Sequence, residues 1–403
     1  MLTDTSRTAA TETRRQRAID ALGLGVPVEQ RRDERFDRIT RLATTVFGTP
    51  MASITILDGT CAWFPSKQGF DAPLVPREET FCDRAQAADE VTIVPDASVD
   101  PDFAELPVVR DGGVRFYAGV PMHDQLGNVV GTFCLFDVMP RTLDSDQRQT
   151  LEDLAAWAEQ ELVASSEMMR AGQVQKAMLP ASALEADGWH VEGVCLPALT
   201  VGGDLFDFAL TDDVIHIGLG DVMGKGTGAA LIGAGVRAAV RSTHPAVVSG
   251  ADLGSTTYRV ARTLQGDLDR GGAFVTLFQC AIDVADGTVR YVDAGAGLCV
   301  VARTDGTVER LVSSDRPIGI LEEDTWTEHR THLAPGDRML IFSDGLFDLL
   351  EDQREWWREV GSLVARHADP AGVLEAVRDL ATALVSLDDV TAVAVYRRPE
   401  GAA

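Results

Sequence analysis

Four aspartates, Asp204, Asp221, Asp344 and Asp388, each sit where a predicted β-strand meets a glycine-rich or polar turn. The turns read Val201-Gly202-Gly203-Asp204, Gly220-Asp221-Val222-Met223-Gly224, Ser343-Asp344-Gly345 and Asp388-Asp389-Val390-Thr391. For these acids to act together, strand ends that are distant in the chain must converge, which calls for a sheet-built domain. With no His or Cys among them they make an all-oxygen site, suited to hard divalent cations. Two such cations close together can hold a water and aim it at phosphorus, so the pattern implies metal-dependent phosphate hydrolysis. Gly203, Gly220, Gly224 and Gly345 permit tight turns beside the acids and leave room there. One Asp-Gly is ordinarily a turn; four acids at strand edges in one domain ask for more.

The balance of 36 basic against 62 acidic residues gives a net charge of −26. Such a surface repels nucleic acid and anionic membrane, so neither is expected as a partner. It also repels a phosphorylated substrate unless bound cations reverse the local field. The six cysteines show no C-x-x-C pair and no zinc spacing. They read as small core residues of a reduced protein rather than a disulfide framework. No apolar core follows Met1 and no apolar run reaches the length of a membrane span, so the expected location is cytoplasmic.

A length of 403 residues suggests two or three domains. Residues 1–14 are polar and read as a disordered tail. Helical spacing runs from Arg15 to Phe47, followed by strand-like runs at 52–57, 61–66, 91–94, 117–121 and 129–137. Together they make an α+β domain over residues 15–143. A long helix at 144–178 follows, with Ser and Asp as N-cap candidates and Pro180 as its stop. Its stripe of Leu151, Leu154, Ala158, Leu162, Ser165 and Met169 reads either as a face packed on its own domain or as a seam between two copies; the length favours the seam. Beyond it, residues 179–398 read as a second α+β domain with antiparallel strands, since many connections are too short for crossovers.

Two look-alike motifs fail on inspection. Gly224-Lys225-Gly226 lacks the spacing and the Ser/Thr of a P-loop. Gly202-Gly203-Asp204 continues with Leu205-Phe206, where the signature of cyclic-dinucleotide synthases continues with an acid and Phe.

Seven segments carry a resemblance: Gln175-Lys176-Ala177-Met178-Leu179-Pro180, Val201-Gly202-Gly203-Asp204-Leu205-Phe206-Asp207, Gly220-Asp221-Val222-Met223-Gly224-Lys225-Gly226, Phe274-Val275-Thr276-Leu277-Phe278, Leu333-Ala334-Pro335-Gly336-Asp337, Phe342-Ser343-Asp344-Gly345 and Asp388-Asp389-Val390-Thr391. In this order the second domain resembles the PPM-type metal-dependent protein serine/threonine phosphatases, in their SpoIIE/RsbU branch. The resemblance implies a β-sandwich flanked by helices, with two manganese or magnesium ions per active site. It implies that Asp204 and Asp221 are shared by both ions and carry the catalysis, and that the Val222 carbonyl is a further ligand. Asp344 and Asp388 then complete one site, with Asp388 preferred over its neighbour Asp389. Asp293-Ala294-Gly295-Ala296 departs from the usual Asn-Ala-Gly-His, at a position outside the ligand set.

The first domain resembles GAF sensory domains through Arg35-Phe36-Asp37-Arg38-Ile39, Val94-Pro95-Asp96-Ala97, Asp100-Pro101-Asp102-Phe103, Arg115-Phe116-Tyr117-Ala118-Gly119-Val120-Pro121 and Gly131-Thr132-Phe133-Cys134. The resemblance leaves its small-molecule ligand open. His123 for haem and Cys82 for a bilin are each weighed against an ordinary loop or core role. Trp63, Phe64, Phe81 and Tyr117 read as a pocket lining or as plain core. The implied activity is dephosphorylation of a phosphoserine or phosphothreonine protein of the anti-sigma-factor-antagonist type, by a homodimer joined through the GAF domain and the long helix. The competing reading is a catalytically weak pseudophosphatase that senses and docks.

Overall fold

Alternating and β-branched runs between residues 51 and 137 pair as six antiparallel strands: β1 (Met51–Asp58), β2 (Cys61–Gln68), β3 (Leu74–Pro76), β4 (Thr92–Val94), β5 (Phe116–His123) and β6 (Val129–Asp137), in the order β3-β2-β1-β6-β5-β4. The structure, a computed structural model, describes residues 3–25, 34–72, 74–351, 353–384 and 386–399, and divides into the units Met1–Arg170 and Ala171–Ala403. In the first unit, one face of the sheet is covered by α1 (Thr3–Leu22), α2 (Glu34–Phe47) and the first part of a long helix; α3 (Phe81–Ala88) and α4 (Pro107–Arg110) cover the other. Residues 145–170 of that long helix, α5 (Ser145–Met178), lie in this unit and 171–178 in the next. Asp144 caps α5 by accepting from the Gln147 amide at 2.8 Å, while Gln147 accepts from the Asp144 amide at 3.1 Å, a reciprocal capping box.

Three expectations change here. The stretch 1–14, expected as a disordered tail, is helical from Thr3, and Glu12 is tied to Arg15 and Arg77 at 2.5 Å each. The Arg15 hydrogen bond, with Arg77 adding to it, holds the Glu12 carboxyl down to about 2. Of the helical run expected from Arg15 to Phe47, Gly23 turns the chain at φ 67° after Leu22, and a second helix runs from Glu34 to Phe47; residues 26–33 lie outside the described residues. The apolar stripe of α5 is no seam between copies: Leu151, Leu154, Ala158 and Leu162 are buried in their own unit against Ile39, Ile54 and Phe133. Burial of each such leucine contributes about 1.5–3 kcal/mol to that unit, which decides the direction in which the stripe faces.

The second unit stacks two antiparallel sheets. It begins with β7 (Leu184–Ala186), β8 (Trp189–Leu196), β9 (Leu205–Thr211) and β10 (Val214–Val222), followed by α6 (Thr227–Arg241), α7 (His244–Val248) and α8 (Leu253–Gly271). Then come β11 (Val275–Asp283), β12 (Thr288–Ala294), β13 (Cys299–Ala302), β14 (Val308–Arg310), β15 (His329–His332) and β16 (Arg338–Phe342). Helices α9 (Asp344–Phe347), α10 (Trp356–Arg366) and α11 (Pro370–Leu384) precede the last strand, β17 (Val390–Arg397). One sheet runs β15-β12-β11-β10-β9 and the other β14-β13-β16-β17-β8-β7. Trp189, Phe206, Phe278, Val301 and Ile341 interleave between the sheets. Helices α6 to α8 cover the outer face of the first sheet and α9 to α11 that of the second. This is the expected β-sandwich flanked by helices. Among the described residues no helix is long and apolar enough to cross a membrane.

A buried histidine pair lies between β10 and α7. His216 and His244 stack with ring centroids 3.9 Å apart and planes 6° apart. Burial holds His216 down from 6.5 to about 3, with the His244 and Arg290 charges adding to it. His244 is lowered by burial too, with Asp207 opposing and Arg241 reinforcing. A histidine with a depressed folded value gives stability that is complete above its unfolded value of 6.5 and is lost as pH falls towards 3. The second unit is therefore expected to lose about 2 kcal/mol through His216 alone between neutral pH and pH 5. Chemical denaturation at several pH values checks this: His216→Phe should flatten the slope below pH 6.5, and an unchanged slope refutes the assignment.

Candidate active site

The sandwich brings the four sequence-distant acids to one end of the two sheets. Asp204 directly precedes β9, Asp221 is the last residue but one of β10, Asp344 opens α9 after β16, and Asp388 lies two residues before β17. Glycines set the close approaches between their turns. A Cβ on Gly203 would lie 2.6 Å from the Val222 carbonyl oxygen, one on Gly202 2.2 Å from Asp389 Oδ2, and one on Gly345 2.1 Å from the Asp389 carbonyl oxygen. No side chain fits these contacts, so each of these turns meets its neighbour backbone-first. The Asp344 and Asp388 turns are also stitched together. The Ser343 amide donates to the Thr391 carbonyl, the Thr391 amide to Ser343 Oγ at 2.9 Å, and Ser343 Oγ to the Asp389 carbonyl at 3.1 Å.

The electrostatics record the convergence. Burial pushes the Asp221 carboxyl up to about 6, and the charges of Asp344, Asp388 and Asp389 add to it. Burial also pushes Asp204 well above the ordinary carboxylate range, with the charge of Asp221 next in effect. Asp344 is raised by burial and then by Asp388. Asp204 is 2% exposed, and among the described residues its Oδ2 meets no hydrogen-bond partner. A buried carboxylate oxygen left unmet, with the Asp221 carboxylate beside it, fits a divalent cation. As placed, the described residues do not close three such ligands around one point.

Asp389 stands apart from the ligand role set beside Asp388. It is 5% exposed, and its carboxylate accepts backbone N–H groups of Ala198 (2.8 Å), Gly203 (2.7 Å) and Asp204 (3.4 Å). It holds the loop that carries Asp204, whereas Asp388 faces outward with Oδ2 3.1 Å from Lys225 Nζ. The sequence reading missed a second grip on the same loop. Gln175, near the end of α5, donates to the Gly202 carbonyl at 2.7 Å and accepts from its amide at 3.1 Å. A Cβ on Gly172 would lie 2.5 Å from the Thr200 carbonyl oxygen, so α5 lies against this loop. Asp207, whose partners the sequence did not disclose, is buried and paired to Arg237 at 3.1 Å and Arg241 at 3.0 Å, which ties β9 to α6. In the departing segment, Asp293 is fully buried and accepts the amides of Ala296 and Gly297, so it serves the turn.

The same two-sheet architecture is seen in the SiaA-PP2C domain of Pseudomonas aeruginosa, with a TM-score of 0.50, 21% identity and coverage of 60% of this chain and 98% of that one; the likeness concerns the fold. Residues 211–398 match the family model of stage II sporulation protein E (SpoIIE), and residues 31–162 that of the GAF domain. Residues 211–398 thus carry a SpoIIE domain, and residues 31–162 a GAF domain. The SpoIIE match begins after Asp204 and takes in Asp221, Asp344 and Asp388. Protein IcfG of Synechocystis sp. is 26% identical over 265 residues, 57% of this chain and 41% of that protein. Phosphoserine phosphatase RsbU of Bacillus subtilis is 24% identical over 227 residues, 56% of this chain and 66% of that protein.

In the GAF domain, the two residues considered for cofactors are both engaged. His123 faces Asp89 through Nε2 at 2.7 Å and Glu159 through Nδ1 at 3.3 Å. Cys82 is buried beside Cys134. Of the four aromatic residues considered, Phe64 and Phe81 line a cavity of about 270 Å³. Tyr117 stacks behind Phe81, 4.6 Å between ring centroids. Trp63 lies with the opposite face of the sheet and donates to the Leu24 carbonyl at 3.0 Å.

Proposed function

We propose that the SpoIIE domain hydrolyses the phosphate ester of a phosphoserine or phosphothreonine protein of the anti-sigma-factor-antagonist type, under control of the GAF domain. The observation that carries this reading is the convergence of Asp204, Asp344 and Asp388 on Asp221, with Oδ2 of Asp204 buried and unmet. Support comes from the family and from the name of the relative RsbU, a phosphoserine phosphatase. Two manganese or magnesium ions fit this donor set: Asp204 and Asp221 would be shared, with the Val222 carbonyl, Asp344 and Asp388 completing the ligands. When bound, such ions supply positive charge to the phosphate and acidify a water. The chain's own part is to collect the acids, to hold the Asp204 loop through Asp389 and Gln175, and to leave a glycine floor where the ester approaches. Lys225 is a cation at the mouth, on a loop whose flanking Gly224 and Gly226 have φ of 102° and 79°.

The test is release of phosphate from para-nitrophenyl phosphate and from a phosphoserine protein, with manganese or magnesium and again with chelator. Turnover that needs the cation supports the reading, and turnover unaffected by chelation refutes it. Cation binding without turnover on either substrate would instead describe a pseudophosphatase.

Control by the GAF domain would pass along α5, whose end holds Gly202. Gln175→Ala removes both hydrogen bonds to that loop, each worth about 0.5–1.5 kcal/mol. The expected result is a roughly tenfold fall in kcat/KM, with a fall in melting temperature of about 2–12 °C from the two lost hydrogen bonds. Steady-state kinetics decide it: wild-type kcat/KM in Gln175→Ala would remove α5 from the control path. A homodimer through α5 would have to use its outward residues Trp157, Met168 and Met169, since the leucine stripe faces inward.

A further inference from the structure

The GAF domain contains a thiol pair that its cavity can reach. Cys82 is the second residue of α3, and Cys134 lies in the middle of β6, paired across to Gly119 and Ser53. Their sulfurs are 3.4 Å apart, and the Tyr117 hydroxyl is 3.5 Å from the Cys134 sulfur. The residues are 2% and 0% exposed, yet Cys82 forms part of the cavity wall together with Phe64, Phe70, Phe81 and Phe136. Glu79 and Thr80 are the polar members of that lining. A volume of about 270 Å³ falls just below the range of pockets for drug-sized ligands, about 300–1,000 Å³, so the occupant is small and largely apolar.

We propose that Cys82 and Cys134 form a redox-active dithiol that a small, apolar organic hydroperoxide, admitted by this cavity, converts to a disulfide. The two sulfurs differ in character. The hydrogen bond to Cys134 brings Cys82 down to about 7 against the opposing effect of burial, while burial pushes Cys134 up. A position at the start of a helix also favours the thiolate. Cys82 is thus the attacking sulfur and Cys134 the resolving one. In the first step the Cys82 thiolate attacks the terminal oxygen of the hydroperoxide. An S–O bond forms, the O–O bond breaks, and the alkoxide leaves with a proton as the alcohol, giving a sulfenic acid. In the second step the Cys134 sulfur, losing its proton, attacks the Cys82 sulfur. The S–S bond forms, the S–O bond breaks, and hydroxide leaves with that proton as water. Two thiols are oxidised by two electrons, and the hydroperoxide is reduced to alcohol and water. In a reducing compartment the product is transient, as expected of a sensor rather than of a structural disulfide. The bond would tie α3, which borders the cavity, to the central strand β6.

The experiment uses the full chain, reduced and freed of reductant, then exposed to cumene hydroperoxide or to hydrogen peroxide at equal concentration. It is quenched by unfolding in a thiol-alkylating reagent and mapped by peptide mass spectrometry. The expected product is one cross-linked peptide pair containing Cys82 and Cys134, short by two hydrogens and restored by dithiothreitol. It should form at least about tenfold faster with cumene hydroperoxide, because the cavity concentrates the apolar reagent. Cys134→Ser should stop at a Cys82 sulfenic acid that dimedone traps. Full alkylation of both cysteines after treatment overturns the proposal, and so does prior oxidation of Cys61 or Cys195, the two half-buried thiols. Equal rates with the two peroxides overturn the apolar substrate. The wild-type measurement stands by itself if the serine variant fails to fold.

Discussion

Asp204→Asn is expected to cut phosphatase activity at least about a hundredfold, as loss of a metal-site group does, and at the same time to raise the melting temperature of the metal-free protein. Activity and stability part here because the native carboxylate is costly without a cation. Asp204 is 2% exposed, its Oδ2 has no partner among the described residues, and burial pushes its carboxyl well above the ordinary range. Leaving such a group unmet costs about 1–3 kcal/mol, more when it is charged. Asparagine keeps the shape and removes the charge. Each kcal/mol recovered should raise the melting temperature by about 2–4 °C for a domain of this size. Manganese should reverse the order. A ligand at a hundredfold excess over its Kd stabilises the native protein by about 2.7 kcal/mol, and the variant should lose most of that gain. Differential scanning fluorimetry with and without manganese, beside an activity assay, checks both halves. A variant that melts lower than wild type without metal, or that keeps the manganese gain, would show that Asp204 does not belong to the metal site.

What the sequence disclosed depended on how much of each residue's role is local. The four acids were legible because glycine and polar turns stand next to them in the chain, and the structure brings all four turns together. The antiparallel pairing was legible from short connections and Val/Ile-rich runs such as 275–284 and 390–396, whereas the sandwich came from the family resemblance. Strand β8 was not, although it is central: Gly193 interrupts its pattern, and only the structure shows why, since a Cβ there would lie 2.4 Å from the Phe206 ring. The stripe of α5 was read correctly as apolar and wrongly as a seam between copies, because periodicity reveals that a face is buried and not what covers it. Gln175 and Asp207 lie in segments that carry the resemblance, but each acts through groups about thirty residues further along the chain, so what they hold was not legible there. The Cys82–Cys134 contact joins residues 52 positions apart, with no motif to link them.

Asp388 and Asp389 are neighbours of one residue type, and the structure gives them opposite consequences. Asp389→Asn should destabilise the SpoIIE domain by about 3–5 kcal/mol, a fall in melting temperature of roughly 10 °C or more. The native carboxylate accepts from the amides of Ala198, Gly203 and Asp204, and an asparagine must turn its own NH2 towards at least one of these donors. The residue is 5% exposed, so water cannot make good the loss. Activity should fall with stability, because the loop that fails is the one carrying Asp204. In Asp388→Asn only an exposed pair with Lys225 is lost, its side chains 41% and 44% exposed, and such pairs are worth about 0–1 kcal/mol. The melting temperature should hold within about 3 °C. Manganese affinity, read by titration calorimetry, should fall by about tenfold to a hundredfold, since a negative oxygen ligand has gone, a loss only partly offset because the Lys225 ammonium no longer has to be displaced. Calorimetry and thermal melts on the two variants separate the roles directly. A stable Asp389→Asn with weakened manganese binding would exchange the assignments, making Asp389 the ligand and Asp388 the bystander.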